Sequence, residues 1–163
     1  MLFDDVFNSR HSLIVGDESS GKTTLALTLG ALALTYGYKV GFVSQADVNL
    51  PGAVIGRTFG EIGRAHVLIT DFPPPPVATP LWDVLNLAPI VITVVGVSRR
   101  DQVLDLIPYR LQAVSDNIWQ VRCTRIVVLK SERYYPGDVF PVQLTPDRRR
   151  YVGVGQFDGA AVS

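Results

Sequence analysis

Hydrophobic positions along the chain fall into short continuous runs separated by turn residues, the pattern of strands buried on both faces of a sheet. Residues 13–15, 40–44, 67–71 and 90–97 are such runs, the last β-branched almost throughout. Between the first two, residues 22–36 are apolar on most faces and stop at Gly37, which predicts a buried helix. A strand, a helix and a second strand in succession predict a right-handed crossover and a parallel sheet. Farther on, Val54, Ile55, Phe59 and Ile62 predict a helix over residues 53–64, and residues 77–87 a short one. Residues 101–111 are amphipathic, with Val103, Leu104, Ile107 and Leu111 on one face despite Pro108. The pattern then changes: residues 117–121 and 124–129 read as antiparallel strands around Arg122 and Cys123, followed by strands at 139–144 and 151–154. Leu2, Phe3, Val6 and Phe7 stand at helical spacing and predict about one turn against the sheet edge. The fold class expected is α/β, a mostly parallel central sheet flanked by helices with antiparallel strands at the C-terminal end. One domain is expected over residues 1–155, with 156–163 a flexible tail.

The stretch Gly16-Asp17-Glu18-Ser19-Ser20-Gly21-Lys22-Thr23-Thr24 joins the first strand to the first helix and fits Gly-x-x-x-x-Gly-Lys-Thr, a phosphate-cradling loop. Gly16 and Gly21 permit dihedrals that a Cβ would oppose, so that successive N–H groups turn inward as an anion-binding nest for a triphosphate. Lys22 is expected to reach the β and γ phosphates, and the Thr23 hydroxyl to complete a magnesium shell. Asp71, closing an apolar strand, is expected to hold the same ion from the opposite side. Gln45, Ala46, Asp47, Ser98 and Arg99 follow strand C-termini, the edge at which open parallel sheets bind ligands.

Composition narrows the reading further. Of 163 residues 47% are apolar and 18% charged, which excludes disorder and bounds the chain to one core. The formal charge is zero, so any nucleic-acid contact must be local or shared among subunits. Cys123 is alone, which excludes an internal disulfide, points to a reducing cytoplasm and favours a small buried apolar side chain over a reactive thiol. No apolar run approaches the roughly 20 residues that span a bilayer, and the acidic start is unlike a secretory signal, so a soluble protein without a membrane role is expected. Pro73 to Pro76 form a stiff extended segment, either a rigid connection or a partner-recognition element.

With the loop Glu18-Ser19-Ser20-Gly21-Lys22-Thr23, the order of the strands and the hairpin ending at Lys130, the chain resembles the RecA superfamily of ATPases, which includes RecA, RadA, KaiC and the DnaB-like ring helicases. The resemblance spans most of the chain, although Asp17 stands where the family usually has proline. It implies ATP and Mg2+ as ligands, with Gly16, Glu18, Ser19, Ser20, Gly21, Lys22, Thr23 and Thr24 around the phosphates, and Thr23 and Asp71 at the metal. The family's general base follows the second strand. Ala46 occupies that place, the glutamate is absent, and Asp47 is the substitute candidate beside catalytic Lys22. Lys130 and Arg133 match cationic fingers that reach a neighbour's nucleotide, which implies self-assembly into a ring or filament, or a RecA-like partner protein. A DNA role in recombination, repair or replication would use Arg99, Arg100, Arg148, Arg149 and Arg150 as contacts to single- or double-stranded DNA, with a nucleoid or nuclear location if DNA-associated; Arg148–Arg150 read equally as a solvated turn. The alternatives are a weakly active or inactive adaptor paralogue and a subunit of a hexameric helicase or packaging motor.

Overall fold

The computed structural model describes residues 2–71, 85–97, 103–107 and 109–154. The expected proline segment 73–76, most of the 77–87 helix, Ser98, Arg99, Arg100 and the 156–163 tail lie outside these residues.

The core is a nine-stranded sheet in the order β3-β2-β4-β5-β1-β6-β7-β8-β9. These strands are β1 (His11–Gly16), β2 (Val40–Ser44), β3 (Val54–Gly56), β4 (Val67–Asp71), β5 (Ile90–Gly96), β6 (Asn117–Arg122), β7 (Arg125–Lys130), β8 (Val139–Leu144) and β9 (Tyr151–Val154). From β3 through β6 every pairing is parallel, and from β6 to β9 every pairing is antiparallel. The expected α/β class with a mostly parallel sheet is therefore present. All residues of β1, β2 and β4 are buried, as strands covered on both faces must be.

Alternate side chains separate into two layers. Ile14, Phe42, Ile69 and Ile92 face α1 (Lys22–Thr35), with Leu25, Ala26 and Leu29 packed on them. Leu13, Val15 and Ile118 point the other way against Val103 and Ile107, while Val43, Leu68 and Val91 meet Ile62 and Leu85. The 3-10 segment Leu2–Asn8 contacts the central strand β5 as well as the edge strand β9. It covers the α1 face, burying Leu2, Phe3 and Val6, with the Phe3 ring 6.5 Å from that of Trp119.

Helix content is lower than the sequence suggests. Residues 53–64 form β3 and a short 3-10 turn, Phe59–Glu61, instead of a helix. Glycines at 52, 56, 60 and 63 weaken helical order, and β-branched Val54 and Ile55 pair with Gly41 and Phe42 of β2. The 101–111 region breaks likewise into a 3-10 turn, Val103–Leu106, and α2 (Tyr109–Val114), which starts directly after Pro108.

Candidate functional site

The phosphate-loop motif sits where a buried strand delivers it. β1 lies between β5 and β6, ends at Gly16, and residues 17–21 turn the chain into α1. Two positive dihedrals make the turn, Ser19 at φ 65° and Gly21 at φ 96°. Gly16 must lack a Cβ because the Ser20 side chain occupies that space, and a Cβ on Gly21 would collide with the Tyr151 hydroxyl. The Asp17 carbonyl accepts from the Ser20 N–H at 3.2 Å and from Lys22 Nζ at 3.1 Å, so the lysine curls back over its own loop. Lys22 is buried, and its stem passes the end of β5 at Gly96.

Thr23, on the first turn of α1, donates its hydroxyl hydrogen to Asp71 Oδ2 at 3.0 Å. Asp71 closes β4 and is fully buried. A carboxylate in such a place is stabilised by hydrogen bonds to it or by a cation. The structure thus brings together Lys22, Thr23 and Asp71, and a pocket of about 310 Å³ opens beside them, lined by Ser19, Ser20, Gly21, Lys22, Thr23 and Thr24. This volume lies within the usual range for small-ligand sites. Ser20 Oγ is buried against Gly16 without a hydrogen-bond partner among the described residues. Donors, a threonine hydroxyl and a carboxylate form an oxygen-rich set suited to magnesium with phosphate.

Cys123, Leu144 and Tyr151 complete the pocket wall, and sequence reasoning missed all three. Cys123 is exposed, contrary to the expected buried side chain, because it occupies the tight β6–β7 turn at φ 53°. Its N–H donates to the Ser20 carbonyl at 2.8 Å, fastening the turn to the phosphate loop. The Tyr151 hydroxyl donates to the Cys123 carbonyl at 2.7 Å, and its backbone N–H donates to Thr28 Oγ1 at 2.9 Å. Burial, with a smaller contribution from Cys123, pushes the Tyr151 phenol up to about 12, so it stays a donor at neutral pH. The signal that could have found Tyr151 is its place on the final strand, but only the curl of β6–β9 brings it to the loop.

The other described candidates do not line this pocket. Asp47 is exposed and its carboxylate meets Arg57 at 3.4 Å, in a separate cavity lined by Ser44, Ala46, Val48 and Glu61. Gln45 donates to the Arg57 carbonyl at 2.8 Å. Lys130 Nζ donates to the Gln112 carbonyl at 2.8 Å, and Arg133 pairs with buried Asp5 at 2.7 Å. That carboxylate holds the Arg133 guanidinium above its ordinary range. Arg148, at φ 59°, and Arg149 turn the β8–β9 hairpin, while Arg150 donates to the Asn49 carbonyl at 3.1 Å. No helix among the described residues is long and apolar enough to cross a membrane.

No protein-family model and no curated protein sequence matches the chain. Among solved structures, it is similar to the flagellar accessory protein FlaH from Methanocaldococcus jannaschii. The TM-score is 0.56 at 15% identity, over 97% of this chain and 96% of FlaH. The two share a fold along nearly their whole lengths.

Proposed function

We propose that this chain is an ATP-binding domain of the RecA-like kind that takes its nucleotide with magnesium. The observation that carries the reading is the 3.0 Å hydrogen bond between Thr23 and Asp71 at the mouth of the loop that Lys22 covers. Residues 48 positions apart converge there on the edge where parallel sheets bind ligands. Backbone N–H groups of residues 19–23 would hold the phosphates, Lys22 would exchange the Asp17 carbonyl for phosphate oxygens, and Thr23 and Asp71 would hold the metal. Bound magnesium supplies charge neutralisation on the phosphates. Leu144 and Tyr151, on the far wall, would meet the nucleoside.

Binding is supported more strongly than turnover. Asp47, the substitute for the missing glutamate, is engaged by Arg57 in a different cavity. Lys130 and Arg133 would have to leave Gln112 and Asp5 to reach a neighbouring subunit. These engagements favour a second reading within the same fold, a nucleotide-responsive accessory subunit with slow hydrolysis. FlaH is itself described as an accessory protein. The DNA-processing role implied by the resemblance gains nothing from the Arg148–Arg150 turn, whose last member is tied to Asn49.

The test is calorimetric titration of ATP with and without magnesium into the wild type, Lys22→Ala and Asp71→Asn. Wild type binds with magnesium; Lys22→Ala loses binding; Asp71→Asn keeps its fold and loses the magnesium dependence. Absence of binding by the folded wild type, or unchanged affinity in Lys22→Ala, refutes the assignment.

A further inference from the structure

A further cavity lies at the opposite end of the sheet from the phosphate loop. It encloses about 560 Å³, and Arg10, Lys39, Arg64 and His66 line it together with Ala65, Leu85, Asn86, Leu87, Ala88 and Pro89. The topology explains the juxtaposition. Lys39, His66, Pro89 and Arg10 each immediately precede a strand, and those strands, β2, β4, β5 and β1, are consecutive neighbours in the sheet. Their backbones are locked: His66 N–H donates to the Lys39 carbonyl at 2.9 Å, Ile90 N–H to the His66 carbonyl at 3.2 Å, and Val91 N–H to the Arg10 carbonyl at 2.9 Å. His66 Nδ1 accepts the Lys39 N–H at 2.8 Å, so Nε2 is the ring nitrogen left as a donor. Arg10 is held along the wall by the Leu85 carbonyl and Asn86 Oδ1.

Three features together identify the occupant. Among the described residues no acidic side chain lines the cavity, although acids and bases are equal in number over the whole chain, 15 of each. Lys39, Arg64 and His66 are exposed, and neither Lys39 nor Arg64 pairs with a carboxylate among the described residues. The floor is apolar, with Leu85 and Ala88 buried and Leu87 left 44% exposed. A basic rim around an apolar floor is complementary to a peptide that presents carboxylates beside an aliphatic or aromatic anchor. Single-stranded nucleic acid is commonly held by stacking on bare aromatic faces. Tyr38, whose ring lies 6.0 Å from that of His66, is already packed by Phe7, Tyr36 and His66.

We propose that this N-terminal sheet edge is a docking site for an acidic, apolar-anchored peptide segment of a partner protein. Because ATP is assigned to the other edge of the same strands, both ligands fit at once, and the docking site stands whether or not the chain binds nucleotide.

The test is selection of a random displayed-peptide library on the full chain, followed by fluorescence anisotropy with the enriched peptides. Enriched sequences carry net negative charge and at least one aliphatic or aromatic residue. Their affinity falls at least tenfold in Lys39→Glu/Arg64→Glu and in Leu87→Asp, weakens with salt, and is unchanged in Lys22→Ala. These exposed positions can be changed without disturbing the core, and circular dichroism checks the fold. Enrichment without acidic bias, or affinity retained in Lys39→Glu/Arg64→Glu, overturns the proposal. So does a fluorescent single-stranded oligonucleotide that binds the wild type, loses binding in that double variant, and outcompetes the peptides.

Discussion

His11 opens the strand that leads to the phosphate loop, and its protonation should set how the fold tolerates acid. The ring is almost fully buried. Ser115 Oγ donates its one hydrogen to the Leu111 carbonyl at 2.6 Å, so it must accept from His11 Nδ1–H at 3.0 Å. Nε2 is then the acceptor for the Thr93 hydroxyl at 2.8 Å. A second ring proton would face a hydroxyl already pointing at it, in a site that desolvates charge. Burial pulls the imidazole down from 6.5 to about 4, only partly opposed by the Asp116 carboxylate. The unfolded chain takes up this proton below its ordinary value while the folded chain refuses it, so stability falls as pH drops from about 6.5 towards 4. The full shift corresponds to about 3 kcal/mol, of which about 2 kcal/mol is already lost at pH 5. Urea unfolding of the wild type and His11→Gln at pH 7, 6 and 5 measures it. The variant is less stable at pH 7 but loses about 2 kcal/mol less on going to pH 5. Parallel pH slopes for the two proteins would refute the argument, as would a His11 ring resonance titrating near 6.5 in the folded state.

Two further outcomes bear on the site itself. Gly21→Ala places a Cβ at positive φ against the Tyr151 hydroxyl, so thermal melts should show a loss of about 2 to 4 kcal/mol, and adding Tyr151→Phe should recover the steric part but not the backbone part. Cys123 is exposed on the pocket wall, so saturating ATP with magnesium should slow its reaction with a maleimide, whereas Lys22→Ala should show no such protection; mass spectrometry of the labelled peptide reads both.

The sequence displayed what continuous burial writes into it. β2, β4 and β5 and the 13–15 stretch of β1 are mostly apolar because both faces of a parallel sheet are covered, and glycine spacing marked the phosphate loop locally. Residues 53–64 misled because two different environments mimic one helical face. Val54 and Ile55 are 47% and 40% exposed on an edge strand, while Ile62 packs tightly over Gly41. Cys123 illustrates a different blindness. A lone cysteine is usually buried, and only the left-handed turn between β6 and β7 exposes it. Tyr151 reaches the loop through four antiparallel strands, a distance that no local pattern encodes.

The hydrogen bond from Cys123 N–H to the Ser20 carbonyl has an electrostatic reading beyond fastening a turn. In any loop built to hold an anion, the carbonyl oxygens are the hazard, since each carries the wrong sign. Here the Ser20 oxygen is drawn towards the β6–β7 turn, and the Asp17 oxygen keeps the Ser20 N–H as its partner when Lys22 turns to the phosphates. The antiparallel half of the sheet therefore works as a shield, improving the loop's field for negative charge by removing repulsion at a distance from the charge itself.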